Sequence, residues 1–368
     1  MTTATWALII ALVALALAVW ALILANLAFR RSRPRRLLTP AALGQATLPQ
    51  HPVTQDDAGT GGVWVIVNPA KVADMDALRT TVTTAALAAG WGQPRFLETS
   101  TADAGAGQAR AAREGGAALV LIAGGDGTVR MACGELAGTQ IPIGILPIGT
   151  GNLLARNLGI PVDSLTQACQ IALTGRETAL DLGWMRLDDN QYRHPFLVIA
   201  GVGFDADMMA GVSADWKSRI GWGAYVVSGV RALRSPSLNL TVRYADTPKA
   251  ASVRARTLLF VSCGELTAGL RLVPGADPTD GWMEVTAIDV RGGLVGWAEL
   301  GSHVIARAVG GRPRMAAVTS TMTMDRAREA TVTVEGEPKR VQVDGDHIGN
   351  AQQLHVALDQ HALVVRTI

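Results

Sequence analysis

The chain has 368 residues, of which 49% are hydrophobic and 17% charged, so it can bury a sizeable core and does not belong to the disordered class. This length exceeds the usual size of one domain, and we predict two. Lysine and arginine number 33 against 31 acidic residues, a balance that gives no broad basic surface for nucleic acid.

The chain begins with a predicted transmembrane helix at residues 5–29. Residues 6–25 are all apolar, and as a helix they are about 30 Å long, the thickness of the hydrocarbon core of a bilayer. A cleaved signal peptide would have a basic start and a shorter apolar run, and a buried core helix would not lead straight into a basic cluster. That cluster comprises Arg30, Arg31, Arg33, Arg35 and Arg36. The positive-inside rule therefore predicts a single-pass protein of the plasma membrane, with its N-terminus outside and its body in the cytoplasm.

Residues 30–60 read as a basic linker without periodicity, and an α/β domain is predicted at residues 61–180. Short apolar runs at 63–67, 95–97, 118–123 and 142–146 predict strands, and helices are expected up to residue 89 and over 103–114. Strands that alternate with helices predict a parallel sheet covered on both faces.

Residues 181–368 are predicted to form a β-rich second domain, resembling a β-sandwich, with a cleft between it and the first. Alternating patterns predict strands at 238–244, 255–262, 283–290, 319–324, 331–334 and 340–343. Helices are expected at 214–233 and 293–309. A return of the last strand to the first domain is left open.

A glycine turn follows the third predicted strand and contains Gly124, Gly125, Asp126, Gly127 and Thr128. Glycines allow backbone N–H groups to approach phosphate oxygens, and the helix that follows adds the positive end of its dipole. A carboxylate beside phosphates repels them unless a divalent cation bridges the two, so Asp126 suggests a Mg²⁺-nucleotide. The Walker lysine is absent, and the alternative is a turn that only reverses the chain.

A second glycine loop, residues 147–152, follows the next predicted strand and contains Gly149, Thr150 and Asn152. Both loops would lie at the carboxyl edge of one parallel sheet, where the ligands of open α/β sheets bind. Asn68 and Thr99 end the first two strands at the same edge. Four polar strand ends that converge on one crevice predict a nucleotide site.

These motifs, taken in order, resemble the diacylglycerol kinase catalytic superfamily, which includes bacterial lipid kinases, sphingosine kinases and ceramide kinases. The resemblance runs from residue 61 to the C-terminus. Its markers are Asn68-Pro69, the turn at 124–128, PIGTGNLLAR at 147–156, the motif at 201–206, PGADPTDGWM at 274–283 and the motif at 343–346.

The resemblance implies ATP and Mg²⁺ as cofactors, with ATP bound in the cleft between the two domains. The implied nucleotide contacts are Asn68, Thr99, Gly124, Gly125, Asp126, Gly127, Thr128, Arg130, Gly149, Thr150 and Asn152. It also implies a structural Mg²⁺ site at Asp277, Asp280 and the carbonyl of Trp282. Read without the family, residues 277–281 are an ordinary acidic turn.

This sequence departs from the family pattern at three places. Arg130 and Met131 stand where relatives often have Asn-Glu, and Arg130 could contact phosphate or cap a solvated helix face. Leu153 stands where many relatives have Asp. The usual Asp-Gly-Glu near the C-terminus is Asp344-Gly345-Asp346, which predicts Asp346 as the catalytic general base. The competing interpretation of that segment is a hairpin turn.

The expected activity is ATP-dependent phosphorylation of a hydroxyl on a diacylglycerol-like or sphingoid-like membrane lipid. One alternative is an enzyme similar to NAD kinase with a soluble acceptor; another is a nucleotide-binding regulator with weak catalysis. The expected partners are the lipid substrate and the bilayer, without nucleic acid, and a homodimer is left open. Six scattered histidines and the cysteines Cys133, Cys169 and Cys263 predict neither a metal site nor a disulfide framework.

Overall fold

The computed structural model describes residues 61–203, 237–247, 249–265, 273, 275–290 and 320–368. The predicted transmembrane helix at 5–29, the linker at 30–60, the helices at 214–233 and 293–309, and residues 204–206 of one family marker lie outside these ranges. Within them, every helix is too short or too polar to cross a bilayer.

The first sheet has four parallel neighbours at one end, in the order β2-β1-β3-β4. Their bounds are β1 Val63–Val67, β2 Arg95–Glu98, β3 Leu119–Gly124 and β4 Pro142–Pro147. Every residue of β3 is buried, as expected for a central strand covered on both faces. The predicted α/β class with a parallel sheet is therefore confirmed.

Helices connect these strands. They are α1 Met75–Ala88, α2 Ala106–Glu114, α3 Asp126–Leu136, α4 Leu153–Asn157 and α5 Leu165–Thr174, and a 3₁₀ turn spans Pro69–Lys71. α1 packs against α5, and α2 packs against α3. The helix predicted to start at 103 begins at 106, because the Asp103 carboxylate accepts hydrogen bonds from the N–H groups of Gly105 and Gly107 before the first turn.

The remaining strands extend the first sheet and form a second one. Their bounds are β5 Arg176–Leu187, β6 His194–Phe196, β7 Ile199–Gly203, β8 Leu238–Tyr244, β9 Ala251–Ala255, β10 Thr257–Val261, β11 Met283–Val290, β12 Ser320–Ala327, β13 Glu329–Val334, β14 Lys339–Val343, β15 Asp346–Ala351 and β16 Gln353–Thr367. The second sheet is antiparallel, in the order β12-β11-β10-β7-β14-β15.

The long strand β16 links the parallel strands to the antiparallel part of the first sheet. Its end pairs in parallel with β4, where Val364 lies opposite Pro142, and its start pairs with β13. It also pairs with β5 from Arg176 to Leu187, with a register shift after Asp359. The predicted domain boundary at residue 180 falls inside β5.

Two hydrophobic clusters stabilise these sheets. The first surrounds the parallel strands and includes Val65, Leu121 and Ile145 together with buried residues of the helices. The second combines residues of both sheets, such as Val332 in β13 and Phe260 in β10. Burial of this apolar surface is the main favourable contribution to folding.

The strand predicted at 255–262 corresponds to β10, Thr257–Val261, whereas the preceding strand β9, Ala251–Ala255, was not predicted. The chain forms β9, which belongs to the first sheet, and β10, which belongs to the second, with a break at Arg256. The N–H of Arg256 donates to the carbonyl of Ile288 at 2.8 Å, outside both ladders. Alternation reports which residues are buried, but it does not show that a strand changes sheets.

Candidate functional site

The two glycine loops meet backbone to backbone at the carboxyl edge of the parallel strands. A Cβ placed on Gly149 would lie 2.4 Å from the Cα of Gly125, closer than real Cβ contacts allow. The N–H of Ile148 donates to the carbonyl of Gly124 at 3.3 Å. Only glycine at position 149 permits this approach, so the loops form one backbone surface.

Replacing Gly149 by Ala is expected to separate the loops and weaken nucleotide binding and turnover, because the new methyl group overlaps Gly125. A displacement of about 1 Å can cost on the order of 10²-fold in rate. ATP affinity and steady-state rates measure the effect. Gly92→Ala is the matched control, since a Cβ there meets nothing within 4 Å. Equal behaviour of the two variants would show that the close approach has no role in binding.

Asp126 is the first residue of helix α3 and joins the two loops. Its Oδ1 accepts a hydrogen bond from the N–H of Leu153 at 2.6 Å. A Cβ on Gly151 would lie 2.5 Å from Oδ2, so the second loop also approaches this carboxylate without a side chain. Burial raises the pKa of Asp126, and the hydrogen bond from Leu153 opposes that rise. Binding of a cation at this site would favour the ionised form.

Asn68 and Thr128 are brought together at the same edge. The Asn68 Nδ2 donates to the Thr128 Oγ1 at 3.3 Å, and the Asn68 Oδ1 accepts from the N–H of Ala70 at 3.1 Å. Thr128 is buried on the first turn of α3. Side chains therefore connect the end of β1 to the first glycine loop, in addition to the backbone hydrogen bonds between β1 and β3.

The other predicted contacts lie near these residues in different states of exposure. Thr99 is buried at the end of β2, where its N–H donates to the carbonyl of Val67 at 2.8 Å. Asn152 has a left-handed backbone with φ 49°, and its amide bonds both the N–H and the carbonyl of Gly149. Thr150 is exposed at the tip of the second loop. Asn152 therefore stabilises the loop, and Thr150 faces solvent.

Arg130 is buried, so the interpretation of this residue as the cap of a solvated helix face was wrong. Its Nη2 donates to the Asp346 Oδ2 at 2.8 Å, and its Nη1 lies 3.5 Å from the carbonyl oxygen of Pro195. The Asp346 side chain is 58% exposed, against 7% for Arg130. Burial, followed by the charge of Arg130, lowers the pKa of the neighbouring His194.

The segment Asp344-Gly345-Asp346 is a hairpin turn between β14 and β15. Asp344 has φ 47° and Gly345 has φ 87°, the positive values that type I′ turns require. Asp346 is the first residue after the turn, and its Oδ2 would lie 3.2 Å from a Cβ on Gly127. The two interpretations of this segment, a hairpin turn and a segment that contains the catalytic base, are therefore compatible. The hairpin places Asp346 beside the first glycine loop.

Asp344 points into the protein and holds a backbone segment. Its carboxylate accepts hydrogen bonds from the N–H groups of Leu197, Val198 and Ile199 at 2.8 to 2.9 Å. Burial raises the pKa of Asp344 to about 6, although these bonds and the charge of Arg130 oppose the rise. A small pocket behind the loops is lined by residues from both loops and by Asp344. Its bonding partners are 145 to 147 positions away in the chain, so the sequence does not predict these contacts.

The predicted structural Mg²⁺ residues lie in a separate turn before β11. The Asp277 Oδ1 accepts from the N–H and hydroxyl of Thr279, and the Asp280 Oδ1 accepts from the N–H of Trp282 at 3.0 Å. Arg326 pairs with Asp280 and with Glu284. The described residues contain no cluster of three or more His, Cys, Asp or Glu side chains arranged to hold a metal. A site made of two carboxylates and a carbonyl stays a prediction, and a cation there would have to displace Arg326.

The loops, by contrast, have the chemistry of a phosphate site. Backbone N–H groups at the start of α3, glycines that admit close approach, and one carboxylate suited to a divalent cation converge there. Asp346 supplies a carboxylate beside the same turn. The arrangement could bind a nucleotide and accept a proton from a second substrate.

Comparison with known proteins agrees with this chemistry. Residues 62–185 match the family model described as the diacylglycerol kinase catalytic domain. A diacylglycerol kinase of Mycobacterium tuberculosis (strain H37Rv) is 34% identical over 176 residues, 46% of this chain and 55% of the relative. A diacylglycerol kinase of Bacillus subtilis (strain 168) is 35% identical over 125 residues, 33% of this chain and 39% of the relative. The chain spans about half the length of the first curated relatives it matches.

The fold is also similar to a solved structure. A crystal structure of a diacylglycerol kinase from Bacillus anthracis str. Sterne has a TM-score of 0.63 and 20% identity, and the match covers 83% of this chain and 97% of that one. At this identity the likeness concerns the fold.

Proposed function

We propose that this chain, which belongs to the diacylglycerol kinase catalytic superfamily through residues 62–185, transfers the γ-phosphoryl group of ATP to a hydroxyl of a membrane lipid. The observation that carries the proposal is the meeting of three elements at one edge: the first glycine loop, the second glycine loop, and Asp346 on the hairpin. The acceptor is of diacylglycerol-like or sphingoid-like chemistry.

The roles of the residues follow from their positions. The N–H groups of the glycine loops and the start of α3 bind the phosphates of ATP, with Asn68, Thr99, Thr150 and Asn152 as the further nucleotide contacts. Asp126 would hold Mg²⁺, which supplies charge neutralisation on the phosphate oxygens when bound. Asp346 takes the proton of the lipid hydroxyl while the hydroxyl oxygen attacks the γ-phosphorus of ATP. The bond between the γ-phosphorus and the oxygen that bridges it to the β-phosphate breaks, and ADP leaves.

Labelled ATP, offered to the purified full-length protein with Mg²⁺ and either a total lipid extract or NAD, tests the proposal. A labelled lipid, identified by mass, supports it. Labelled NADP would instead establish the soluble-acceptor alternative. No labelled product in either reaction would overturn the proposal in favour of a nucleotide-binding regulator with weak catalysis.

The proposed location is the plasma membrane, with residues 5–29 as the single span and residues after Arg36 in the cytoplasm, where ATP is available. An anchor keeps the enzyme beside an acceptor that stays in the bilayer. Protease added to intact cells is therefore expected to leave residues 61–368 uncut, and the same protease should digest them after permeabilisation. Digestion from outside intact cells would contradict both the orientation and the use of cytoplasmic ATP.

A further inference from the structure

The pair of Arg130 and Asp346 joins a buried cation to a half-exposed carboxylate. The Arg130 side chain is 7% exposed and the Asp346 side chain 58% exposed, and their bond of 2.8 Å connects residues that are 216 positions apart in the chain. A guanidinium that is largely removed from water needs an anionic partner, because an unpaired buried charge is costly. The bond therefore fixes the hairpin against helix α3.

The pair also fixes the position of the Asp346 carboxylate relative to the first glycine loop. The Asp346 Oδ2 that accepts from Arg130 would lie 3.2 Å from a Cβ on Gly127, so any side chain at that position would crowd it. Arg130 is one helical turn beyond Asp126, and its guanidinium reaches the carboxylate from within the protein. The bond to Arg130 uses Oδ2, which leaves Oδ1 to accept a proton.

We infer that Arg130 is a positioning residue, which holds Asp346 over the phosphate loop and acts through this carboxylate rather than on the nucleotide. The inference rests on the proposed function, in which Asp346 is the base. A shorter base than glutamate has to be held closer to its substrate, since a base must reach about 2.6 to 3.2 Å from the oxygen that gives up its proton. A guanidinium in fixed geometry provides that hold.

The contacts of Arg130 argue against a direct phosphate contact. Its Nη2 is bonded to Asp346, while its Nη1 faces the carbonyl oxygen of Pro195 and the Met131 sulfur. Its Nε is buried and has no hydrogen-bond partner among the residues that the structure describes. The two Nη groups are therefore directed at protein atoms, and the backbone of the first turn of α3 stays available for phosphate.

A thermodynamic cycle tests the pair without any measurement of activity. The melting temperatures of four proteins are compared: the parent, Arg130→Met, Asp346→Asn and the double variant. If Asp346 contributes to stability through Arg130, then Asp346→Asn lowers the melting temperature in the parent and leaves it unchanged in the Arg130→Met background. Equal losses in both backgrounds would show that the pair does not exist in solution and would overturn the inference.

Kinetics then separates positioning from nucleotide contact. Arg130→Met is expected to lower kcat for lipid phosphorylation by about 10²-fold, the cost of a base misplaced by about 1 Å. The KM for ATP should stay within about twofold of the parent value, since no binding contact with the nucleotide is lost. Arg130→Lys should recover part of kcat, because an ammonium group restores the charge but not the geometry.

Arg110→Met is the matched control and should leave kcat unchanged. Arg110 lies on α2, and the substitution removes its exposed ion pair with Glu135, a residue of α3, the helix that contains Arg130. An increased KM for ATP with normal kcat in Arg130→Met would overturn the inference in favour of a phosphate contact. A parent protein that phosphorylates no lipid would overturn the proposed function and the catalytic part of this inference, while the melting cycle would still decide whether the pair exists.

Discussion

Asp126→Asn is expected to lower lipid phosphorylation by orders of magnitude in a protein that remains folded. Phosphoryl transfer depends on positioning and charge neutralisation, and the substitution removes the charge that is proposed to hold a divalent cation between the two glycine loops. The Asn Oδ1 can still accept the hydrogen bond that the N–H of Leu153 makes to Asp126 at 2.6 Å, so the contact between the loops survives. Initial rates at saturating Mg²⁺-ATP, together with melting temperatures, measure both parts of this prediction.

The Mg²⁺ dependence of the rate makes the test more specific. If Asp126 holds the cation, the variant should need a higher Mg²⁺ concentration for half-maximal activity. Asp188→Asn is the matched control, because this carboxylate also accepts backbone hydrogen bonds, from Gln352 and Gln353, and lies at the end of β5 rather than in either loop. A folded Asp126→Asn protein with nearly normal activity would show that the carboxylate only closes the loop.

Parts of the fold that depend on local pattern could be predicted from the sequence. The strand at Val63–Val67 is short, apolar and β-branched and breaks at Asn68-Pro69, and its observed bounds equal the predicted ones. The strands at Leu238–Tyr244 and Met283–Val290 also match, because apolar and polar residues alternate along both. Parallel order then placed both glycine loops at one edge, where they do meet.

What the pattern could not supply was contact between distant segments. β5 and β16 pair over most of their lengths. Neither range was among the strands predicted by residue number, and the return of the last strand was left open, because nothing local to residues 176–187 identifies a partner at 353–367. The strand β9, which belongs to the other sheet and ends just before Arg256, was not predicted for the same reason. Alternation of apolar and polar residues shows which face of a strand is buried. The sheet to which the strand belongs depends on neighbouring strands that are distant in the sequence.

The same limit applies to the candidate site. The sequence motifs indicated which loops contain phosphate-binding groups, since glycine and helix-start chemistry is local. The pairing of Arg130 with Asp346 and the burial of Asp344 under three N–H groups are consequences of topology. Arg130 departs from the family pattern, which is visible in the sequence, but its bond to Asp346 depends on the position of the hairpin.

Asp346→Asn is expected to abolish lipid phosphorylation while ATP binding stays intact. An alcohol is a poor nucleophile, and a positioned carboxylate that accepts its proton contributes about 10² to 10⁴ in rate. The Asn side chain keeps the size and the position beside Gly127, but it does not accept a proton. Asp346→Glu should retain activity, because it keeps the carboxylate and restores the residue that the family pattern has. Product formation from lipid and the affinity for ATP, measured on the same preparations, separate catalysis from binding.

Asp359→Asn is the matched control for that substitution, since Asp359 is also a half-exposed carboxylate that pairs with an arginine, Arg193. This variant should phosphorylate lipid at the parent rate. If Asp346→Asn also did so, the base would lie elsewhere. Asp344 would not be a suitable replacement, because it is buried and its carboxylate already accepts three backbone hydrogen bonds. Asp205, which belongs to the family marker at 201–206 and lies outside the described residues, would then be the next candidate, and Asp205→Asn would be the variant to measure.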